Sequence, residues 1–504
     1  MRVGAVRPEQ ASAAPLVERL AAELDVAGVA YCHFKSNRFL RRAELAETDL
    51  DLLVSRRHVR DFRRVLDSCG FVGAVRPQAT SPPGVAHYFA YDAAADRFVH
   101  VHAHRQLIVG HDRTKNYRLP IEEPFLASAS KTSVLPTPAP AFEYVLLVIR
   151  MVLKYAVIDE MVWTGARRSR PRPSRSEREE HAHLRELITR DDVDAVVDGH
   201  LGFVGRDLFA AAEDVASGTA SLARTAAVGR RMETRLQAHA RRSPSVDAVV
   251  RLWRRVALSV RRRTLGRRGY RLDGGGAIIA IIGGDGAGKT TALREIGAWL
   301  EEHFDVVTVH LGKPPWSATT YAVRGGLKIA GVAVPTLTGP PAMSRSRPGD
   351  GGDPSATEYR RLLWFACKAR DRYLTYRRAS RAAASGSIVI SDRFPHPALR
   401  QTDVPQIARL TDGDDRGRLL RWLVRLEQHY HERVVPPDLA IVLRLDPLEA
   451  ARRKIDEPHD YVVARATEIY DIDWSGTGAH VVDAGQPPAA VVAEIKALIW
   501  ASLA

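Results

Sequence analysis

One segment near the middle of this 504-residue chain restricts its fold more than any other feature. Six apolar residues, 277–282, run directly into Gly283-Gly-Asp-Gly-Ala-Gly-Lys-Thr-Thr291. The second stretch fits the spacing G-x-x-x-x-G-K-[ST], in which glycines let backbone N–H groups surround phosphate oxygens. The apolar run predicts a buried strand, and the residues from about Thr290 predict a helix. The sequence therefore predicts a strand–loop–helix unit that binds phosphate groups.

The residue types of this loop indicate a nucleotide rather than a simple anion. The Lys289 ammonium can reach the β- and γ-phosphates of ATP, and the Thr290 hydroxyl can ligate Mg²⁺. The positive end of the helix dipole adds attraction for phosphate. The predicted ATP-binding residues are Gly283, Asp285, Gly286, Ala287, Gly288, Lys289, Thr290 and Thr291.

The C-terminal part of the chain alternates strand and helix patterns. Gly274, Gly275 and Gly276 separate this part from what precedes it. Further apolar strand candidates lie at 306–310, 387–391, 439–445 and 480–482. Apolar strands that alternate with helices indicate a parallel sheet covered by helices on both faces. We therefore predict an α/β P-loop domain over residues 274–504.

Several motifs in this domain are narrower than the general phosphate-loop pattern. The wording Gly284-Asp-Gly-Ala-Gly-Lys-Thr-Thr291 resembles thymidylate kinases and related nucleoside monophosphate kinases. Segments in the expected order support the resemblance: 386–394 with Asp392 and Arg393, 437–447, 451–457 and 481–484. The resemblance covers about 275–504 and implies ATP- and Mg²⁺-dependent phosphoryl transfer by a kinase.

The same resemblance assigns roles to individual residues. It implies that Lys289, Asp392, Arg393 and Arg453 act in phosphoryl transfer, with Thr290 and Asp392 on the metal. Because the P-loop itself has Ala287 and no arginine, a closing lid that carries Arg452, Arg453 and Lys454 is expected to cover the transferring group. Asp285 and Arg372 are the expected acceptor-binding residues, with Arg370 as an alternative to Arg372.

The acceptor side departs from the thymidylate kinase pattern. Ile282 stands where that family often has Glu, and the second strand ends in His310-Leu-Gly-Lys313-Pro-Pro without the expected Arg-Glu-Pro. Lys313 is a candidate substitute cation. The acceptor can therefore be a nucleoside monophosphate, another nucleotide or a non-nucleotide such as a glycan precursor.

The N-terminal region, residues 1–140, carries a second pattern. Lys35-Ser36-Asn37 forms a small-residue turn, and Asp49 and Asp51 follow one residue apart within an apolar strand. Alternation along a strand places both carboxylates on one face, where they can hold a cation such as Mg²⁺. The segment of about 28–150 resembles the nucleotidyltransferase superfamily and implies an α+β domain with a second site at Asp49 and Asp51.

This region also departs from its family. Lys35 stands where a glycine is usual, and the third carboxylate of the family is missing, with Asp96 as the nearest candidate. Where that acid is expected, His100, His102 and His104 alternate and share one strand face. These histidines can bind a transition metal or serve as packing residues. The domain can be an enzyme or an inactive domain that binds nucleotide or substrate.

Residues 141–273 read as a helical connector with an Arg-rich loop. Of the formal net charge of +15, much lies in two tracts, at 167–178 and 251–271. Such tracts can contact nucleic acid or another polyanion, but a solvated linker is the favoured interpretation. Three cysteines without metal-site spacing, and no signal peptide or membrane span, indicate a cytoplasmic protein. Nothing in the sequence fixes the oligomeric state.

The sequence thus favours a kinase that uses ATP and Mg²⁺ on a small acceptor. Two rival hypotheses remain open. The first is a nucleotidyltransferase that acts through Asp49 and Asp51, with an accessory P-loop domain. The second is an NTPase associated with nucleic acid, and only the arginine tracts support this hypothesis.

Overall fold

A computed structural model describes residues 12–76, 84–155, 173–264, 269–329, 356–396, 398, 399, 405, 407 and 418–504. The chain forms two compact units, Met1–Arg268 and Gly269–Leu503. None of the described helices is both long enough and apolar enough to cross a membrane.

The first unit contains a mixed sheet. Its strands are β1 (Tyr31–His33), β2 (Leu50–Val54), β3 (Val72–Val75), β4 (Val85–Asp92) and β5 (Arg97–His104). They lie in the order β1-β2-β5-β4-β3. The β2–β5 pair is parallel, and the other pairs are antiparallel. A separate two-stranded sheet pairs β6 (Leu107–Val109) with β7 (Tyr117–Leu119).

Ten helices of the first unit surround these sheets in the described part of the chain. They are α1 (Pro15–Val26), α2 (Leu40–Glu44), α3 (Val59–Ser68), α4 (Glu122–Ala127), α5 (Pro140–Tyr155), α6 (Arg175–Glu186), α7 (Arg190–His200), α8 (Arg206–Ala216), α9 (Leu222–Arg235) and α10 (Pro244–Thr264). Short 3-10 turns lie at Asn37–Phe39, Arg56–His58 and Gln237–His239.

The buried helix α5 joins the helical region to the sheet region. Apolar side chains of α5 to α9 form one core cluster. This cluster also includes Cys32 of β1, Phe34 directly after β1, and Leu53 of β2. The sequence predicted a helical connector over 141–273, and that division of the chain stays a prediction. In the structure, these helices share core residues with the N-terminal sheet, because most side chains of α5 are apolar and require burial.

Helix α10 carries part of the second arginine tract, with an orientation that a solvated linker does not explain. Arg251 lies half-buried with its Nε 3.8 Å from Asp247 Oδ2, and Arg254 donates to the Arg113 carbonyl. By contrast, Leu252 and Trp253 are exposed. These two arginines therefore hold the helix in place. Of the first tract, Arg167, Arg168, Arg170 and Arg172 lie outside the described residues.

The second unit is built on a five-stranded parallel sheet, as the sequence predicted. Its strands are β9 (Ile278–Gly283), β10 (Val306–His310), β11 (Ile388–Asp392), β12 (Leu439–Arg444) and β13 (Ala479–Asp483), after a short strand β8 (Arg271–Leu272). The order is β10-β11-β9-β12-β13. The helices are α11 (Lys289–Glu301), α12 (Ala318–Ile329), α13 (Ala356–Ala384), α14 (Arg418–His431), α15 (Pro447–Arg453), α16 (His459–Tyr470) and α17 (Pro488–Leu503).

The strand order brings functional loops together. Strand β9 lies between β11 and β12. In this register, Ile281 of β9 lies beside Asp392 of β11 on one side and beside Ile441 of β12 on the other. All five strands are parallel, so the loops that follow them leave the same edge of the sheet. The chain turns first toward β10 and later toward β12, which makes the end of β9 a topological switch point where ligands bind.

Gly276, just before β9, allows the chain to pack closely against the segment between α13 and β11. A Cβ atom added at Gly276 would lie 1.9 Å from the Ser387 carbonyl oxygen, whereas one at Gly274 would meet open space. We expect Gly276→Ala to lower the free energy of unfolding by about 1–3 kcal/mol, because the backbone must move to make room for the methyl group.

Gly274→Ala is the matched control and should unfold within about 0.5 kcal/mol of the wild type. Urea unfolding followed by tryptophan fluorescence measures both, because six of the eight tryptophans lie in the second unit. Equal midpoints for the two variants would contradict the close approach.

Candidate functional site

The loop between β9 and α11 adopts the conformation that its glycines predict. Gly286 and Gly288 have φ values of 84° and 85°, which favour glycine. A Cβ at Gly286 would also lie 2.5 Å from the Ala450 carbonyl oxygen. Neither glycine can therefore be replaced without moving the loop, and Lys289 begins helix α11 directly after it.

Lys289 points back across this loop. Its Nζ donates to the Gly284 carbonyl at 2.6 Å and lies 3.9 Å from Asp285 Oδ1. Burial lowers the pKa of Lys289 to about 8, although the Asp285 carboxylate opposes that shift. The side chain is only 10% exposed. The ammonium is thus held where an anion placed on the loop would contact it.

Asp285 joins two arginines from distant parts of the chain. Its Oδ1 lies 3.1 Å from Arg393 Nη2, and its Oδ2 lies 3.2 Å from Arg465 Nε. Arg465 lies on α16, where its Nη1 donates to the Tyr461 hydroxyl one turn earlier at 2.7 Å. Arg465 was not among the residues predicted from the sequence, because it lies eight residues beyond the segment assigned to the lid.

The end of β11 supplies Asp392 and Arg393. Arg393 has φ 53°, a conformation that non-glycine residues rarely adopt. Asp392 Oδ2 lies 3.5 Å from His310 Nε2. Its Oδ1 is buried and has no hydrogen-bond partner among the residues that the structure describes. A buried carboxylate oxygen of this kind is suited to a cation or a hydroxyl donor.

These groups line a cleft at the carboxyl edge of the sheet. Its charged lining residues are Asp285, Lys289, Arg393, Arg465 and Glu468, and its apolar lining includes Phe394, Leu399 and Ile469. Three cations beside a glycine-rich loop create a positive field that favours phosphate. Thr290 and Thr291 are exposed at the start of α11, so their hydroxyls are accessible to a ligand.

The predicted lid residues lie elsewhere in this conformation. Arg452 is 76% exposed and lies 3.6 Å from Glu449, while Arg453 pairs with Glu449 and donates to the Ala484 carbonyl. Lys454 Nζ lies 2.8 Å from Asp456 Oδ2. In the described part of the chain, none of the three cations lines the cleft. Their role over the transferring group stays a prediction.

The two acceptor candidates on α13 are also away from the cleft. Arg372 is buried, and its Nε donates to the Leu311 carbonyl at 2.9 Å. Arg370 Nη1 donates to the Ser317 hydroxyl at 3.0 Å. Arg372 is therefore positioned to hold the loop after β10. Binding of an acceptor by either arginine stays a prediction.

In the first unit, the two aspartates face a row of histidines. Asp49 Oδ1 lies 2.8 Å from His100 Nδ1, and Asp51 Oδ1 lies 3.2 Å from His102 Nδ1. His102 lies within reach of both carboxylates, so Asp49 and Asp51 share one face as the sequence predicted. Asp96, the candidate third acid, accepts instead from the Tyr91 hydroxyl at 2.6 Å.

Charges around Asp51 keep it ionised. Burial favours the neutral form, but Lys35, whose Nζ lies 2.8 Å away, and bonds with His102 and His104 hold the pKa of Asp51 well below its usual range. Burial also favours the neutral form of nearby imidazoles. It lowers the pKa of His87 to about 3 and that of His104 to about 4. These two imidazoles are thus neutral at physiological pH.

The turn before β2 is held by carboxylates. Ser36, with φ 59°, donates its backbone N–H to Glu180 Oε1 at 2.9 Å. Asn37 donates its backbone N–H to Glu143 Oε1 at 3.0 Å. A phosphate on this turn would compete with both carboxylates for the same donors. No local sequence pattern predicts this arrangement, since Glu143 and Glu180 lie more than 100 residues away.

Comparison with known proteins adds a distant relative. The chain is 26% identical over 241 residues to "Uncharacterized ATP-binding protein YghR" of Escherichia coli (strain K12). The match covers 44% of this chain and 89% of that protein, and the protein of the same name from Escherichia coli O6:H1 matches equally. No family model matches the chain.

Among solved structures, thymidylate kinase from Ehrlichia chaffeensis is similar over 45% of this chain and 98% of that chain. The sequence identity is 22% and the TM-score is 0.21.

The contact between Glu143 and the turn predicts a pH dependence. Burial raises the pKa of Glu143 to about 7, while its bonds with Asn37 oppose the rise. The folded state therefore holds a proton between pH 4.5 and 7 that the unfolded chain has lost. The stabilisation from this proton is complete below pH 4.5 and disappears as the pH rises through 7.

We expect the stability of the wild type, relative to Glu143→Gln, to fall as the pH rises from 4.5 to 7.5. Urea unfolding followed by circular dichroism across this range tests the expectation. Glu186→Gln, an exposed position on α6, is the control and should follow the wild-type curve. Parallel curves for the wild type and Glu143→Gln would contradict the raised pKa.

Proposed function

We propose that the second unit transfers the γ-phosphoryl group of ATP, with Mg²⁺, to a nucleoside monophosphate or a related small acceptor. The observation that carries this proposal is the convergence of Lys289, Arg393 and Arg465 on the P-loop around Asp285. Phosphoryl transfer depends mainly on positioning and on cations that stabilise the charge of the transferring group.

Two lines of support favour ATP as the donor. The loop has a full G-x-x-x-x-G-K-[ST] spacing, with backbone angles at Gly286 and Gly288 that open its N–H groups to an anion. In addition, the distant relatives in Escherichia coli are named ATP-binding proteins. The Gly284 carbonyl, which now accepts from Lys289, would give up that contact when phosphate binds.

The residues present fit a magnesium ion. The Thr290 hydroxyl is exposed at the start of α11, and Asp392 presents a buried oxygen that has no hydrogen bond among the described residues. Oxygen ligands of these two kinds suit Mg²⁺. When bound with ATP, this ion neutralises phosphate charge.

Asp285 has a positioning role in this proposal. It holds Arg393 and Arg465 at the cleft through one oxygen each. The cleft lining carries three cations against the carboxylates of Asp285 and Glu468, which leaves an excess of one positive charge before Asp392 is counted. The arginine side chains are thus oriented before substrate arrives, which reduces the entropy lost on binding.

The rival hypotheses have less support. For a nucleotidyltransferase, the N–H groups of Ser36 and Asn37 would have to exchange two carboxylates for phosphate. For a nucleic-acid NTPase, Arg251 and Arg254 on α10 would have to leave contacts within the first unit. The acceptor remains either a nucleotide or a non-nucleotide such as a glycan precursor.

The central test is transfer of labelled γ-phosphate from ATP to a panel of nucleoside monophosphates and sugars. We expect Lys289→Met to reduce turnover about 10²–10³-fold, as loss of one charge-stabilising donor does. Asp49→Asn and Asp51→Asn should retain turnover. Activity lost only in the aspartate variants would reject the kinase proposal and favour the nucleotidyltransferase.

Arg465 provides a second test, because the sequence pointed to other cations. We expect Arg465→Met to lower kcat by a factor of about 10²–10³. Arg294→Met, an exposed arginine on α11, is the matched control and should change kcat less than about twofold. A larger loss in Arg452→Met or Lys454→Met than in Arg465→Met would restore the lid assignment.

A further inference from the structure

Three neighbouring strands of the first unit place imidazoles and carboxylates at one level of the sheet. His102 on β5 pairs with Asp51 on β2 on one side and with His87 on β4 on the other. His100 lies two residues before His102 and therefore shares its face. One nitrogen from each of His87, His100 and His102 lies within 4.8 Å of the other two.

The carboxylates orient two of these rings. Asp49 Oδ1 and Asp51 Oδ1 lie at 2.8 Å and 3.2 Å from the Nδ1 atoms of His100 and His102. A carboxylate on Nδ1 places the proton there, so that the lone pair that can ligate a metal is on Nε2. This is the arrangement in which metal-binding histidines are commonly held by carboxylates.

The spacing of the ring nitrogens suits a tetrahedral ion. With Zn–N bonds of about 2.0–2.1 Å, tetrahedral geometry separates neighbouring ligand atoms by about 3.3–3.4 Å. His87 Nδ1 and His100 Nε2 lie 3.3 Å apart, within hydrogen-bond distance of each other. This pair is thus spaced like one edge of a coordination tetrahedron.

The surroundings also favour a fixed site. The His100 ring stacks on Phe89 with centroids 3.9 Å apart, which limits its rotation. His102 Nε2 is buried and has no hydrogen bond within the described residues. The Asp49 side chain is 46% exposed and opens the cluster to solvent.

We propose that His87, His100 and His102 bind a Zn²⁺-like transition-metal ion, with Asp49 orienting His100 and Asp51 orienting His102. Imidazole nitrogen is a ligand for zinc, nickel and copper, whereas magnesium requires oxygen ligands. The two aspartates would therefore serve a transition metal instead of the nucleotide-bound Mg²⁺ that the sequence pattern implied. This proposal is independent of the kinase activity.

The experiment uses the full chain, purified without a histidine tag and treated with a chelator. Isothermal titration with Zn²⁺ should give one site, and Co²⁺ should give the visible absorption of a four-coordinate ion. Millimolar Mg²⁺ should not displace either metal. Competition by Mg²⁺, or a Co²⁺ spectrum of a six-coordinate ion, would overturn the proposal.

Variants identify the ligands. We expect His102→Gln to abolish binding of stoichiometric Zn²⁺, and Asp51→Asn to weaken it about 10–100-fold, as loss of an orienting partner does. His200→Gln, an exposed histidine of the same unit, is the control and should bind as the wild type does. Circular dichroism checks that each variant is folded.

If His102→Gln does not fold, Asp51→Asn and the Co²⁺ spectrum of the wild type still decide the question. Unchanged zinc affinity in folded His102→Gln or Asp51→Asn would overturn the proposal. A wild-type chain that binds no Zn²⁺ below about 100 μM would also overturn the proposal, because three imidazole ligands should bind Zn²⁺ more tightly than that.

Discussion

The carboxylate of Asp285 is the contact on which the arrangement of the cleft depends. It binds Arg393 from the end of β11 and Arg465 from α16, and it lies beside Lys289 at the start of α11. Without this anion, three cations would repel one another in a partly buried site. The same carboxylate therefore holds the three cations together at the cleft.

The first unit uses carboxylates for a similar purpose, with different partners. Glu143 and Glu180 hold the backbone of the turn at Ser36 and Asn37, and Asp49 and Asp51 hold histidine rings. In both units, acidic side chains fix neighbouring polar groups, and the identity of those groups decides the chemistry. Arginines favour phosphate, whereas oriented imidazoles favour a transition metal.

Much of the second unit could be predicted from its sequence because its signals are local. The glycine spacing at 283–291 and the apolar runs before and after it specify loop, strands and a parallel sheet within a few residues. Arg465 could not be predicted in this way. It reaches Asp285 only because α15 and α16 fold back across the P-loop, and no local pattern separates it from a surface arginine.

The first unit divides in the same way. Its alternating Asp49 and Asp51, and the alternating histidines of β5, follow from the two-residue period of a strand, which the sequence alone determines. That His87 of β4 lies beside them, and that α5 and α6 bring Glu143 and Glu180 to the turn, was decided by tertiary structure. Strand register and helix packing depend on contacts between residues far apart in the chain, so only the folded structure specifies them.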